Sequence, residues 1–194
     1  MLSRLYRRNP DVNRRSDCLL TKACFLFRNN LHIIICGYPM FRVEYRELMF
    51  FYRNGGRLML KDLYSKYYYD ENYNCAETMI RAGNEYYELG LHDRDMQMLG
   101  GFGAGIQSGN TCGAILAAVS ILSMRYIEKK AHESADIKPV TVNLIREFNK
   151  RYGSILCKDI KPQSFTKELR CKNTIETACD ILEAVIEDYD KNRI

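Results

Sequence analysis

Residues 59–194 predict an all-α fold, a small bundle of four to five helices with a glycine-rich loop before the central helix. Three observations predict it. Apolar residues recur at helical spacing in several stretches, no stretch alternates convincingly as a strand does, and residues of capping and helix-ending type stand at the joints. A hydrophobic content of 46% in 194 residues is enough to fill a core. The first helix is expected to take Asp70 or Asn72 as its cap, to run through Cys75, Met79, Ile80, Ala82 and Tyr86-Tyr87, and to end by Gly90. Cys75, Met79 and Ala82 then share one face. A short helix is expected around Met96–Leu99, followed by a glycine loop over residues 100–109. Asn110 or Thr111 is placed to cap a long apolar helix, about Cys112–Lys130, closing on Lys129-Lys130 at its negative end. A further helix begins near Pro139, carries Val140, Leu144, Ile145 and Phe148 as its stripe, and stops at Gly153. Cys157 is read as lying just beyond it, and Pro162 as breaking the chain. The last helix, about Leu169–Tyr189, presents Cys171, Ile175, Ala178, Leu182, Val185 and Ile186 on one side.

Charge divides the chain. Residues 1–58 hold 11 Lys+Arg against 4 Asp+Glu, a net of +7, whereas residues 59–194 hold 18 against 20, a net of −2. The second part has no basic surplus with which to bind nucleic acid through its phosphates. The first part has no clear period. Its arginine pairs, Arg7-Arg8 and Arg14-Arg15, suit a basic arm, but another reading is preferred. Asn54-Gly55-Gly56-Arg57 can be encoded by a purine-rich stretch of the kind that lies just before a bacterial start codon. Met59 is therefore expected as the true start, with residues 1–58 an unmatched extension. An intact mass that includes residues 1–58 in the natively expressed protein overturns this. No run approaches the ~18 apolar residues of a membrane-spanning helix, and no clean secretory signal is present. A cytoplasmic location is expected, where cysteines are redox-active, metal-bound or buried rather than paired for structure.

The chain has eight cysteines, and four of them fall at or near expected element ends. Cys75, Cys112 and Cys171 lie in the first turns of expected helices, and Cys157 follows a Gly-Ser helix end. A helix N-terminus favours the thiolate, the form of cysteine that reacts or binds metal. Cys112 follows the run Gly100-Gly101-Phe102-Gly103-Ala104-Gly105-Ile106-Gln107-Ser108-Gly109 and is the expected low-pKa thiolate. That loop is neither a P-loop, since no Gly-Lys-Ser/Thr follows, nor a dinucleotide fingerprint, since no strand precedes it. The preferred role of its glycines is geometric: they let Cys112 come close to another cysteine or to a metal. None of the four cysteines forms a CxxC pair, so their spacing alone argues only weakly for a metal. Cys179, one turn after Ile175, reads as core. His92 and His132 lie in polar stretches and read as surface residues, and Tyr67–Tyr69 and Tyr86-Tyr87 as packing residues.

Five blocks together carry a resemblance: Asn74-Cys75-Ala76-Glu77, Gly100–Gly105, Thr111-Cys112-Gly113-Ala114, Phe148 through Tyr152-Gly153-Ser154 to Cys157-Lys158-Asp159, and Arg170-Cys171. In order and rough spacing they resemble the C_GCAxxG_C_C family, small proteins described as redox-active with four characteristic cysteines. The resemblance spans about Leu60–Ile186. It departs at one position, where the last glycine of CGAxxG is Ala117, so packing behind Cys112 is expected to adjust to a methyl group. The resemblance implies that Cys75, Cys112, Cys157 and Cys171 are the site.

Three readings stay open. The four cysteines carry out thiol–disulfide or electron-transfer chemistry with an unidentified redox partner, as a thiol oxidoreductase would. The same four hold zinc or an iron–sulfur cluster. Or the chain is a helical interaction module with structural cysteines. Oligomeric state, including a homodimer, is left open.

Overall fold

The computed structural model describes residues 58–193, together with the backbone of three short strands nearer the N-terminus. Two units divide the chain, residues 1–58 and 59–194. In the first, β1 (Leu26–Phe27), β2 (Asn30–Ile33) and β3 (Phe41–Arg42) form an antiparallel sheet in that order, Leu26 opposite Leu31 and Ile33 opposite Phe41. The sequence, which shows no strand-like alternation here, did not predict these strands. The arginine pairs and the segment Asn54–Arg57 lie outside the described residues.

The second unit is helical, as expected, but with six α-helices rather than four or five. They are α1 (Cys75–Tyr87), α2 (Asp93–Gln97), α3 (Gly113–Tyr126), α4 (Ile137–Tyr152), α5 (Cys157–Ser164) and α6 (Lys172–Asn192). None of the described helices is long and apolar enough to cross a membrane.

The core lies between α1, α3, α4 and α6. It is built from Met79, Ile80, Ile115, Ile121, Leu122, Leu144, Phe148, Ile175 and Leu182, each at most 1% exposed. Helices α1 and α3 approach closely because they meet through small residues. A Cβ at Gly83 would come within 2.8 Å of Ile121 Cγ1, and Ala76, Ala82, Ala114 and Ala117 are buried without residue. The methyl group of Ala117 is thus accommodated in the core. Cys179 is core too, its thiol donating to Met79 Sδ at 3.6 Å. Two short helical turns, Leu60–Asp62 and Lys66–Asp70, wrap the bundle. The buried Glu183 on α6 fixes the first of them, accepting from Leu60 N–H at 3.0 Å, and also accepts from Tyr86 Oη on α1 at 2.6 Å.

Several boundaries differ from expectation for local reasons. The cap of α1 is Asn74, neither Asp70 nor Asn72. Asn74 Oδ1 accepts from the N–H groups of Ala76 and Glu77, and Glu77 Oε2 accepts the N–H of Asn74, a reciprocal capping box. Asn74 Nδ2 also donates to Gly100 O at 2.9 Å, tying the glycine loop to the start of α1. Asn74→Ala removes both the cap and the tether. It is expected to cost about 2 kcal/mol, read as a lower urea midpoint. Helix α3 stops at Tyr126, short of Lys129-Lys130, where Ile127 turns to extended backbone; Arg125 and Tyr126 in its last turn both bond Asp190 on α6. Pro162 does not break the chain; it lies inside α5. In so short a helix it deletes one hydrogen bond, that to the carbonyl of Lys158, which lies on the exposed side. Gly153 ends α4 in the left-handed conformation, as expected.

Candidate redox site

The four cysteines stand at the starts of four different helices. Cys75 is the first residue of α1 and Cys157 of α5, and Cys112 and Cys171 are the residues that cap α3 and α6. All four line one cavity of about 190 Å³, walled in part by Ile160 and Phe165.

Two devices the sequence did not announce bring these helix ends together. The first is a bridge between the segments that precede α3 and α5. Thr111 pairs antiparallel with Leu156, Cys112 N–H donates to Ile155 O at 2.9 Å, and Cys157 N–H donates to Asn110 O at 2.7 Å. Cys112 and Cys157 are therefore held side by side although 45 residues separate them in sequence. The second is Tyr68, whose buried hydroxyl accepts the N–H of Cys171 at 2.8 Å and so anchors the start of α6 to the wrapping segment. The guanidinium of Arg170 lies over the Tyr68 ring, 4.4 Å from its centre.

The glycine loop makes the convergence sterically feasible, though not quite as expected. It opens space for Cys157 rather than for Cys112. Residues Ala104 to Gln107 form a left-handed turn, with φ of 51° at Ala104, 66° at Gly105, and 55° at Ile106 and Gln107. A Cβ on Gly105 would meet Cys157 Cβ at 2.6 Å and Asn110 N at 2.7 Å. Beyond the loop, a Cβ on Gly113 would meet Phe102 O at 2.6 Å and Cys75 Sγ at 2.9 Å. The glycine after Cys112 is thus the gap into which the sulfur of Cys75 fits.

Electrostatics sort the thiols into an inner and an outer pair. Cys112 is 4% exposed and Cys75 7%. Burial pushes the Cys112 thiol up to about 12, with Cys75 adding to the effect; the N–H groups of Ala114 and Ile115 oppose it without prevailing. Cys112 is therefore not the low-pKa thiolate that its helix N-terminus suggested, because desolvation outweighs the helix end. Burial, then Cys171, push Cys75 up to about 11 against the N–H groups of Ala104 and Ala76. Cys157 and Cys171 are the half-buried pair. The Cys157 thiol is also raised, by burial first and by Cys171 next, while the Lys161 ammonium lowers it. That a neighbouring thiol raises Cys75, Cys112 and Cys157 alike reflects how closely the sulfurs are gathered.

Two further points bear on the alternatives. Among the described residues, no three His, Cys, Asp or Glu side chains are grouped so as to hold a metal ion. The donors as arranged do not fit a single-ion site. His92 and Asp93 line a different, polar cavity together with Arg81 and Tyr73, and His92 and His132 are exposed. Sequence reasoning missed Tyr68, Lys161, Phe165 and Arg170 in the cavity wall. The spacing of Lys161, one turn after Cys157, and the place of Arg170 beside Cys171 offered the signals.

No curated protein and no solved structure matches the chain significantly. A family model described as "Putative redox-active protein (C_GCAxxG_C_C)" matches residues 73–185, more than half of the chain. Its span covers all four cysteines, the glycine loop and the bridge between the α3 and α5 starts, and the chain belongs to this C_GCAxxG_C_C family.

Proposed function

We propose that the chain is a thiol–disulfide redox protein in which Cys157 and Cys171 exchange with an external partner, while Cys75 and Cys112 form a second, inner pair. One observation carries this reading: four free thiols on four helix starts line one cavity, two of them half-buried. Exchange needs a thiolate that a partner can reach. The outer pair offers access. The inner pair, protonated at neutral pH, suits a reserve that acts after the outer pair is oxidised. Reversible thiols of this kind suit a reducing compartment such as the cytoplasm. Zinc on the same four residues stands second, because no group of three ligands is in place for an ion, and an iron–sulfur cluster on them is the other alternative.

The test is made on full-length chain purified without oxygen. Metal and acid-labile sulfide are assayed, and thiols are counted before and after treatment with a disulfide, modified residues being located by mass spectrometry of peptides. The expected result is a metal-free protein that loses the Cys157 and Cys171 thiols together and regains them with dithiothreitol. Stoichiometric iron and sulfide, or stoichiometric zinc, overturns the reading. So does unchanged reversible oxidation in Cys157→Ser/Cys171→Ser.

A further inference from the structure

We infer that the four-cysteine cavity selects an anionic partner, a small disulfide bearing carboxylates. This rests on the redox reading and names its substrate class.

Lys161 and Arg170 are the charged side chains that line the cavity, and no carboxylate lines it. Neither cation has a carboxylate partner among the described residues. Arg170 donates instead to two neutral oxygens, Tyr68 O at 3.4 Å and Asn72 Oδ1 at 3.3 Å. Both cations rest on aromatic faces of the wall: Lys161 Nζ lies 4.6 Å from the centre of the Phe165 ring, and Arg170 lies over Tyr68. They are held in place there without being neutralised.

The charge is local. From Cys157 to Lys172 the chain carries five basic residues (158, 161, 167, 170, 172) and two acidic ones (159, 168), a net of +3. The rest of residues 59–194 then holds 13 basic and 18 acidic residues, a net of −5. A basic segment therefore spans the two outer cysteines of an otherwise acidic domain. The helix starts that meet at the cavity add partial positive charge of the same sign. An anion approaching the outer thiols is attracted, and a cation is repelled.

The chemistry balances as ordinary exchange. The Cys157 thiolate attacks one sulfur of R–S–S–R, forming Cys157–S–S–R and expelling RS⁻. The Cys171 thiolate then attacks the Cys157 sulfur, closing a Cys157–Cys171 disulfide and expelling a second RS⁻. Two cysteine thiols lose two electrons, one external disulfide gains them, and the two cysteine protons pass to two RSH.

Three small disulfides test the inference on reduced full-length chain at low ionic strength: 3,3′-dithiodipropionate (anionic), 2-hydroxyethyl disulfide (neutral) and cystamine (cationic). Each rate of Cys157–Cys171 bond formation is divided by that disulfide's rate with 2-mercaptoethanol, which removes intrinsic reactivity. The normalised rate is expected to favour the anion over the cation by about tenfold, and the preference to shrink as salt is added. Lys161 is exposed, so Lys161→Gln is expected to fold; it should cut the preference to about threefold, and Lys161→Glu should cut it further. Normalised rates that are equal, that favour cystamine, or that do not change in either variant overturn the inference and leave the redox reading intact. Failure of all three disulfides to oxidise the pair overturns the redox reading, and the inference with it.

Discussion

Gly105→Ala is expected to destabilise the protein by about 3 kcal/mol and to displace Cys157, whereas Gly90→Ala costs about 1 kcal/mol. Both glycines hold a positive φ, +66° at Gly105 and +74° at Gly90. A side chain at either position meets the same left-handed penalty, roughly 1 kcal/mol. The surroundings differ. Around Gly90 nothing lies within 4 Å of an added Cβ, while at Gly105 the methyl group meets the backbone of Asn110 and the Cβ of Cys157. Backbone that is pinned by the Thr111–Leu156 bridge has little freedom to withdraw. The difference between the two variants, read from urea unfolding, therefore isolates the overpacking contribution, about 2 kcal/mol. Against a typical total stability of about 5–15 kcal/mol, that is a large fraction. The rate at which iodoacetamide modifies Cys157 should change in Gly105→Ala and stay constant in Gly90→Ala. Equal losses of stability would show that the loop does not press on Cys157.

The helices of the second unit were legible because their signals are local. Val140, Leu144 and Phe148 repeat at helical spacing, and Gly153 supplies the left-handed stop, so α4 needed nothing from elsewhere in the chain. The end of α3 was not legible, because neither glycine nor proline stands at Ile127, where the backbone turns extended. Helix α5 was hidden for another reason. Proline removes one bond of the helix ladder, and here the carbonyl left without it, that of Lys158, lies on the exposed side where water takes its place. The cap of α1 was displaced because three residues of capping type, Asp70, Asn72 and Asn74, crowd one stretch. Only Asn74 has Glu77 three positions on to complete the box.

The candidate site divides in the same way. Helix starts can be read from sequence, so the four cysteines stood out. The sorting into inner and outer thiols could not be read, since it depends on how much of each sulfur the bundle covers. The expectation for Cys112 failed on that point alone. A helix N-terminus shifts a thiol downward by an amount that the chain fixes locally, but burial shifts it upward by an amount that only tertiary packing sets. Tyr68 shows the same limit: within a run of three tyrosines, nothing in the sequence distinguishes the one whose hydroxyl holds Cys171.

The buried inner pair also predicts a steep loss of stability in alkali. Cys75 is held at about 11 and Cys112 at about 12, against an ordinary 9.0. The folded protein therefore retains protons that the unfolded chain releases above pH 9. Stability from these two thiols is intact below pH 9 and falls as pH rises through 11 for Cys75 and 12 for Cys112. Each fully coupled thiol contributes a slope of about 1.4 kcal/mol per pH unit, so the pair together contributes about 2.7 kcal/mol per unit near pH 10. Tyr64 and Tyr87 are pushed up by burial as well, so the wild-type slope contains tyrosine ionisation of the same sign. Cys112→Ala separates the two. It keeps the tyrosines and Cys75 but removes one buried thiol, and its urea-unfolding free energy between pH 9.5 and 10.5 should fall less steeply than the wild type by about 1.4 kcal/mol per unit. The comparison is between slopes, so whatever the substitution costs at neutral pH cancels. A slope unchanged by Cys112→Ala would mean that this sulfur meets water in the folded state. The cavity would then have no inner pair, and all four thiols would compete equally for a partner.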